Sequence, residues 1–215
     1  MADSNNKDTV KKILDVAESL FAQKGFRETS LRTITSKAGV NLAAVNYHFG
    51  SKEQLIQAVF ARTLTPFCDA LEKRLIEHVH SGEKHYTLEE LFDVLVLTAA
   101  QVYGGDVSRF TLFMRLLGLA YTQVQDHLRA FLSENYGSVF KRILVHIKMA
   151  APDMPPKELF WRIHFSLGAA VFTLSSYETL REIMAEDYQV NISLDGTMKR
   201  LIPYMASGIR ADVID

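Results

Sequence analysis

Cysteine is close to absent. Cys68 is the sole thiol in 215 residues, which excludes an intramolecular disulfide framework and fits a reducing compartment. Its expected state is a small buried side chain. Long apolar runs are missing as well. The most hydrophobic stretches, around residues 91–103, 110–121 and 163–174, are interrupted by Asp93, Arg115 and His164. They fall short of the ~20 residues a membrane span needs. The opening MADSNNKD is polar and acidic, not basic then apolar as in a signal peptide. A soluble, cytoplasmic protein without a membrane partner is expected. There is no excess of one charge: 24 Lys+Arg stand against 25 Asp+Glu, which argues against a surface basic all over. Also missing are repeats, low-complexity tracts and any alternating pattern long enough for a sheet. No P-loop, dinucleotide fingerprint or nucleophile elbow occurs. The seven His are scattered without metal-ligand spacing. No catalytic residue, metal ligand or cofactor is expected, and an enzyme is not.

What is present is hydrophobic content of 48%, ample for a core, arranged almost everywhere at helical spacing. Val10, Ile13, Leu14, Ala17, Leu20 and Phe21 recur at three- and four-residue steps and predict an amphipathic helix over 10–23, ended by Gly25. A long helix over 51–78 carries Pro66, which should kink it. Residues 81–86 form a loop, and Thr87 with Glu90 makes a capping box for a helix to about 103. Gly104 and Gly105 break it. Helices follow over 107–119 and 123–149. The run APDMPP stops the last of these, and Pro156 suits the first turn of a helix over 157–185. A final helix covers 194–209. The fold class is all-α.

The stretch LRTITSKAGVNLAAVNYHFGSKEQLIQAVF, residues 31–60, carries the most information. Thr29 or Ser30 can cap a helix on which Leu31, Ile34 and Ala38 share a face. Gly39 stops it in a left-handed conformation. Asn41 caps a second piece, Leu42 to about Phe49, closed by Gly50. Ser51 with Gln54 opens the next helix. Helix, tight turn, short helix is the layout of a helix-turn-helix, whose second helix enters the major groove. Residues 1–60 hold eight Lys+Arg and six Asp+Glu, whereas the remainder holds 16 and 19. This mild basic bias supports DNA binding weakly.

These residues resemble the TetR family of bacterial regulators. The likeness lies in the ordered set Gly39-Val40, Tyr47-His48-Phe49 and Ser51-Lys52, and in the helix before it. It implies a three-helix DNA-binding domain at 1–52 and a larger effector-binding and dimerisation domain at 53–215. The DNA-contacting set implied is Ser30, Arg32, Asn41, Leu42, Ala43, Asn46, Tyr47, His48 and Lys52. Arg32 suits guanine O6 and N7, or else a phosphate; Asn46 suits adenine, or is a surface amide. Asn46 also departs from the family, which usually has an aromatic residue there. Leu42 and Ala43 can touch a thymine methyl or permit close approach. Tyr47, His48 and Lys52 match backbone contacts, Lys52 adding charge near helix-end amides. His48 suits packing between helices equally well.

FMRLLGLAYTQVQDHLR and ELFWRIHFSLGAAVF resemble the fatty-acid-responsive repressors of the family. That likeness implies a long-chain fatty acid or acyl-CoA as effector, and a palindromic double-stranded operator as the other partner. Phe92, Leu95, Phe110, Phe113, Met114, Leu117, Phe160, Phe165 and Phe172 are candidates for a pocket lining or plain core. The effector-contacting subset is Phe92, Phe113, Arg115, Leu117 and Phe165. Arg115 either meets a ligand carboxylate, pairs with an internal acid or snorkels outward. Arg162 and His164 are weaker candidates; His164 suits a hydrogen-bonded core or interface position. A homodimer is expected, joined through helices 157–185 and 194–209, with Trp161, Phe165, Gly168, Ala169, Phe172, Leu201 and Ile202 on the shared face. The alternatives are a repressor of a multidrug efflux operon and, from another class, a helical lipid carrier that does not recognise DNA.

Overall fold

The computed structural model of the chain describes residues 2–82, 85–123 and 126–213, with the side chains of residues 2–5 excepted. Among them all regular structure is helical: α1 (Ala2–Glu28), α2 (Leu31–Ala38), α3 (Leu42–Phe49), α4 (Lys52–His80), α5 (Leu88–Val102), α6 (Val107–Thr122), α7 (Asp126–Ala150), α8 (Pro156–Ser175), α9 (Tyr177–Tyr188) and α10 (Leu194–Arg210). Glu83 and Lys84 of the expected loop, and Val124 and Gln125 of the expected start of α7, lie outside the described residues. The chain divides into two compact units. One is Met1–Pro66 with Arg115–Asn135; the other is Phe67–Met114 with Tyr136–Asp215. The first unit, the head, thus extends along α4 to Pro66 and includes a second segment, Arg115–Asn135. The reason is burial. Leu55, Ile56, Val59 and Phe60 of α4 are sealed into the head, as are Leu116 and Leu128.

The head is built on α1. Ile13, Ala17, Leu20 and Phe21 form its fully buried stripe. At Gly25 the helix breaks (φ 79°, ψ 171°), a conformation that suits glycine alone. Phe26 then turns inward, edge-on to Phe21 at 5.4 Å and tilted on Phe60 at 6.0 Å. A Cβ at Gly25 would also lie 2.4 Å from Nε2 of Gln123, whose Oε1 accepts from the Phe26 N–H at 2.9 Å. Thr29 is buried and does not cap α2. Its hydroxyl donates back to the Gly25 carbonyl at 2.8 Å and closes α1. Arg62 of α4 pairs with Asp15 at 2.6 Å and also with Glu18. α4 continues as helix through Pro66.

In the second unit α10 packs on α8 and α5. The capping box at α5 is present: Glu90 N–H donates to Thr87 Oγ1 at 3.2 Å, and Thr87 N–H to Glu90 Oε2 at 2.8 Å. The Thr87 N–H, and then the Thr87 hydroxyl at 3.0 Å, donate to the Glu90 carboxylate and hold it below its ordinary range. Gly104 and Gly105, at φ 62° and 74°, end the α5 segment. Cys68 is buried, as expected, and burial beside Asp69 and Glu72 pushes its thiol up to about 12. The helix expected over 157–185 is two helices. It breaks at Ser176 (φ −106°, ψ 14°), where serine hydroxyls compete with the helical backbone. The break lets Tyr177 bury its ring and donate its hydroxyl to the Ile192 carbonyl at 3.1 Å. Leu201 and Ile202 point into the unit and so leave the proposed shared face.

Arg162 is a structural residue. Buried on α8, it donates to the Ile209 carbonyl at 3.0 Å, to Asp212 O at 2.8 Å and to Ala211 O. It thus supplies donors and positive charge at the C-terminus of α10, where helix carbonyls lack partners. Glu89 and Arg210 fasten the same end from α5. Arg162→Met should destabilise the fold by about 3 kcal/mol, since several carbonyls lose charge-assisted bonds at once. Glu158→Gln, which loosens only a contact of 3.4 Å to the same arginine, should cost under about 1 kcal/mol. Urea unfolding of both variants checks the contrast.

His78 of α4 stacks on Tyr86 at 3.6 Å, and buried His146 of α7 lies 5.5 Å from Tyr86 and 6.5 Å from His78. Among the described residues the His146 Nδ1 finds no hydrogen-bond partner. Burial first, then His78, Arg142 and His85, hold its pKa below the ordinary histidine value. A base that resists protonation only when folded takes up protons on unfolding. Stability should therefore fall as pH drops below about 6.5, the unfolded value. Urea midpoints at pH 7.5, 6.5 and 5.5 should decline less in His146→Leu than in the parent.

Candidate nucleic-acid interface

Helices α2 and α3 have eight residues each, too few to persist alone in water. Local caps and a small buried face hold them. Ser30 is extended and its Oγ accepts from the Thr33 N–H at 3.1 Å. Gly39 adopts φ 65°, ψ 33° and closes α2 by donating to the Thr35 carbonyl. Asn41 Oδ1 accepts from the Ala44 N–H at 2.8 Å, and Gly50 (φ 75°) donates to Asn46 O at 3.0 Å. One arm of the cap expected at α4 is present, Gln54 N–H to Ser51 Oγ at 3.1 Å. Ile34 and Thr35 of α2 and Val45 of α3 point inward.

With Val45 inside, the opposite arc of α3 is left to solvent. Leu42, Ala43, Asn46 and Tyr47 stand there together, at helix positions that share a face. Leu42 is 40% exposed and Tyr47 81%, so neither serves the core of its own chain. Arg32 is exposed on α2, and Asn41 begins α3. His48 is half-buried, its ring 4.9 Å from Tyr47 and 6.3 Å from Phe49, which places it between the solvent face and the packing. Lys52 is half-buried at the start of α4. Burial holds its ammonium below the ordinary lysine value, with the Glu28 carboxylate acting the other way. All nine residues of the expected set thus belong to α2, α3 or their flanks. Two of them, Ser30 and Asn41, already spend side-chain oxygens on caps.

The effector candidates are divided between the two units, Arg115 and Leu117 in the first and Phe92, Phe113 and Phe165 in the second. Phe92 and Phe113 are buried in the second unit, Phe113 at 5.8 Å from Phe67 and 5.4 Å from Tyr103. Leu117 is half-buried. Arg115 is exposed on α6, between buried Met114 and Leu116. Phe165 is 66% exposed on α8, its ring 5.9 Å from Trp161, and lines no interior space. His164 Nδ1–H donates to the Phe160 carbonyl at 2.7 Å. A shallow groove of about 270 Å³ lies on the head, lined by Asn6, Lys7, Val10, Lys11, Leu14 and Arg62. No group of three or more His, Cys, Asp or Glu among the described residues is placed to hold a metal ion. None of their helices is long and apolar enough to cross a membrane. Two tethers within the head join distant stretches of sequence, Gln123 Oε1 accepting from the Phe26 N–H and Gln57 Nε2 donating to His127 O at 3.2 Å. Their partners lie 97 and 70 residues away, and no local signal marks them.

A small helical head that presents the free arc of one short helix defines a helix-turn-helix regulator. The family is TetR, and the chain belongs to it. The model for bacterial regulatory proteins of the tetR family matches residues 13–59, and that for the tetracycline repressor-like C-terminal domain matches residues 93–208, more than half of the chain. KstR2, an HTH-type transcriptional repressor of Rhodococcus jostii, is 38% identical over 80 residues, 37% of each chain. SrpR, an HTH-type transcriptional regulator of Pseudomonas putida, is 37% identical over 60 residues, 28% of each. The chain spans about two-fifths of the length of the first curated relatives it matches. Among solved structures, a TetR family regulator from Shewanella sp. PV-4 superposes with a TM-score of 0.60 at 19% identity, covering 93% of this chain and 96% of that one. NalD, the secondary repressor of the MexAB-OprM multidrug efflux pump in Pseudomonas aeruginosa, gives 0.57 at 21% identity, covering 97% and 98%. Both show the shared fold.

Proposed function

We propose that the chain is a ligand-responsive repressor. It acts as a homodimer on a palindromic operator and is released by a long-chain fatty acid or acyl-CoA. The observation that carries the DNA reading is the free arc of α3, Leu42, Ala43, Asn46 and Tyr47, flanked by exposed Arg32 and by Lys52. In this motif base contacts come from the recognition helix and specificity from its side chains. Arg32 is the base reader toward guanine and Lys52 the phosphate contact.

The dimer reading rests on α8. Trp161, Phe165, Gly168 and Phe172 follow one another at i, i+4, i+7 and i+11 and are all exposed. On α10 Tyr204 is 69% exposed beside Pro203, Ser207 and Gly208. An added Cβ at Gly168 or Gly208 would meet nothing within 4 Å, so the chain's own packing does not require glycine there; a second helix pair approaching closely would. Large exposed aromatic stripes of this kind mark interaction surfaces.

The lipid reading rests on the likeness of FMRLLGLAYTQVQDHLR and ELFWRIHFSLGAAVF to the fatty-acid-responsive repressor PsrA, and on an aromatic interior containing Phe92 and Phe113. An operator fixes the distance between half-sites at ~34 Å. A ligand that favours another spacing therefore weakens both halves. Tenfold release needs ~1.4 kcal/mol of differential affinity. Pro66 removes one amide donor from α4 where the two units divide.

Three outcomes are expected. Arg32→Ala should weaken binding at one operator position by about 1–3 kcal/mol, while Lys52→Ala weakens all duplexes and lowers the salt slope by about one. Gel shifts on operator variants across salt concentrations separate the two. Phe165→Glu should turn the dimer into a monomer in light scattering at micromolar concentration, since charge in a buried apolar seam is costly. Fatty acids and acyl-CoAs of increasing length, titrated into the complex with the protein's own upstream DNA, should release it beyond a threshold chain length. Release by planar cationic drugs alone would favour an efflux repressor. Acyl binding without any DNA binding would favour a lipid carrier.

A further inference from the structure

Capping takes two polar groups of the expected DNA-facing set, Ser30 and Asn41, away from base recognition. Pairing with adenine requires both the oxygen and the nitrogen of an amide, and Asn41 has committed its oxygen to the Ala44 N–H at 2.8 Å. Ser30 Oγ accepts from the Thr33 N–H at 3.1 Å and shares a proton with Thr33 Oγ1 at 2.8 Å. What remains at the leading edge of α3 is alkyl: Leu42 and Ala43, both exposed, with the exposed amide of Asn46 one turn on. Among the described residues no hydrogen bond or ion pair engages that amide. A leucine left 40% exposed at a helix start leaves a substantial part of its side chain uncovered by its own chain. In a major groove the feature that an alkyl side chain can grip is the thymine 5-methyl group, while an amide with both ends open pairs with adenine N6 and N7.

We propose that the bases facing the start of α3 are selected through thymine methyl groups packed on Leu42 and Ala43, with one adenine paired to Asn46, beside the guanine read by Arg32. The proposal rests on the DNA-binding reading above and states what that face recognises. Discrimination across these positions is hydrophobic, so it turns on a single carbon that uracil lacks and that leaves every Watson–Crick bond unchanged.

The test begins with selection of duplexes from a random library by the full chain. In the selected sequence each thymine is then replaced singly by uracil. At two thymines facing the start of α3, uracil should lower affinity about three- to fourfold each, the worth of one buried methyl group. Leu42→Ala should abolish the uracil penalty at one of them and keep it at the other. Asn46→Ala should relax the requirement for one adenine. A selected duplex on which uracil is neutral at every thymine overturns the proposal and leaves DNA binding standing. Uracil penalties unchanged in Leu42→Ala overturn it as well. Enrichment of no duplex at all overturns the DNA-binding reading, and the proposal with it.

Discussion

Two eight-residue helices cannot hold themselves together in water, and what the head presents to solvent depends on how that deficit is met. The burial available is small: Ile34 and Thr35 from α2, Val45 from α3. Caps supply the rest. Ser30, Gly39, Asn41 and Gly50 each satisfy or terminate a helix end, contributing about 1 kcal/mol per cap. A helix stabilised by its ends and one inward side chain leaves most of its circumference free. That freedom is what allows α3 to carry an uncharged arc whose residues answer to a partner and not to the core.

Where a structural decision is made by neighbours in sequence, it was legible there. The caps at Ser30, Asn41 and Thr87, the left-handed glycines 39 and 104, and Pro156 at the start of α8 are all local chemistry, and all are found in place. Decisions made at a distance were not legible. Periodicity identifies apolar residues on α8 but not which of them face inward, since the helix is apolar on more than one side; Phe165 and Trp161 face out while Leu159 and Leu174 face in. Arg162 beside Trp161 resembled a ligand contact, but its partners are carbonyls 47 to 50 residues later. Leu201 and Ile202 belong to the core because α10 packs on both α8 and α5. The break at Ser176 could be suspected from paired serines, yet what fixes it is the Tyr177 hydroxyl finding Ile192.

The candidate site divides along the same line. Its position on α2 and α3 was readable from the order of glycines, caps and aromatics. The roles of its polar groups were not, because capping and base reading call on the same residue types. Only the hydrogen bonds show that Ser30 and Asn41 are spent while Asn46 is not.

The head is not a contiguous stretch of chain. Its core is completed by Leu116 and Leu128, and its break at Gly25–Phe26 is fastened by Gln123. Exchange of DNA-reading heads between relatives by a single crossover near residue 66 therefore sets residues 1–66 against a 115–135 segment shaped for another sequence. A donor segment must bring its own equivalent of residues 115–135 or inherit a core cut for another sequence. The discontinuity makes the packing of the reading head depend on a segment that the sequence places about fifty residues beyond it.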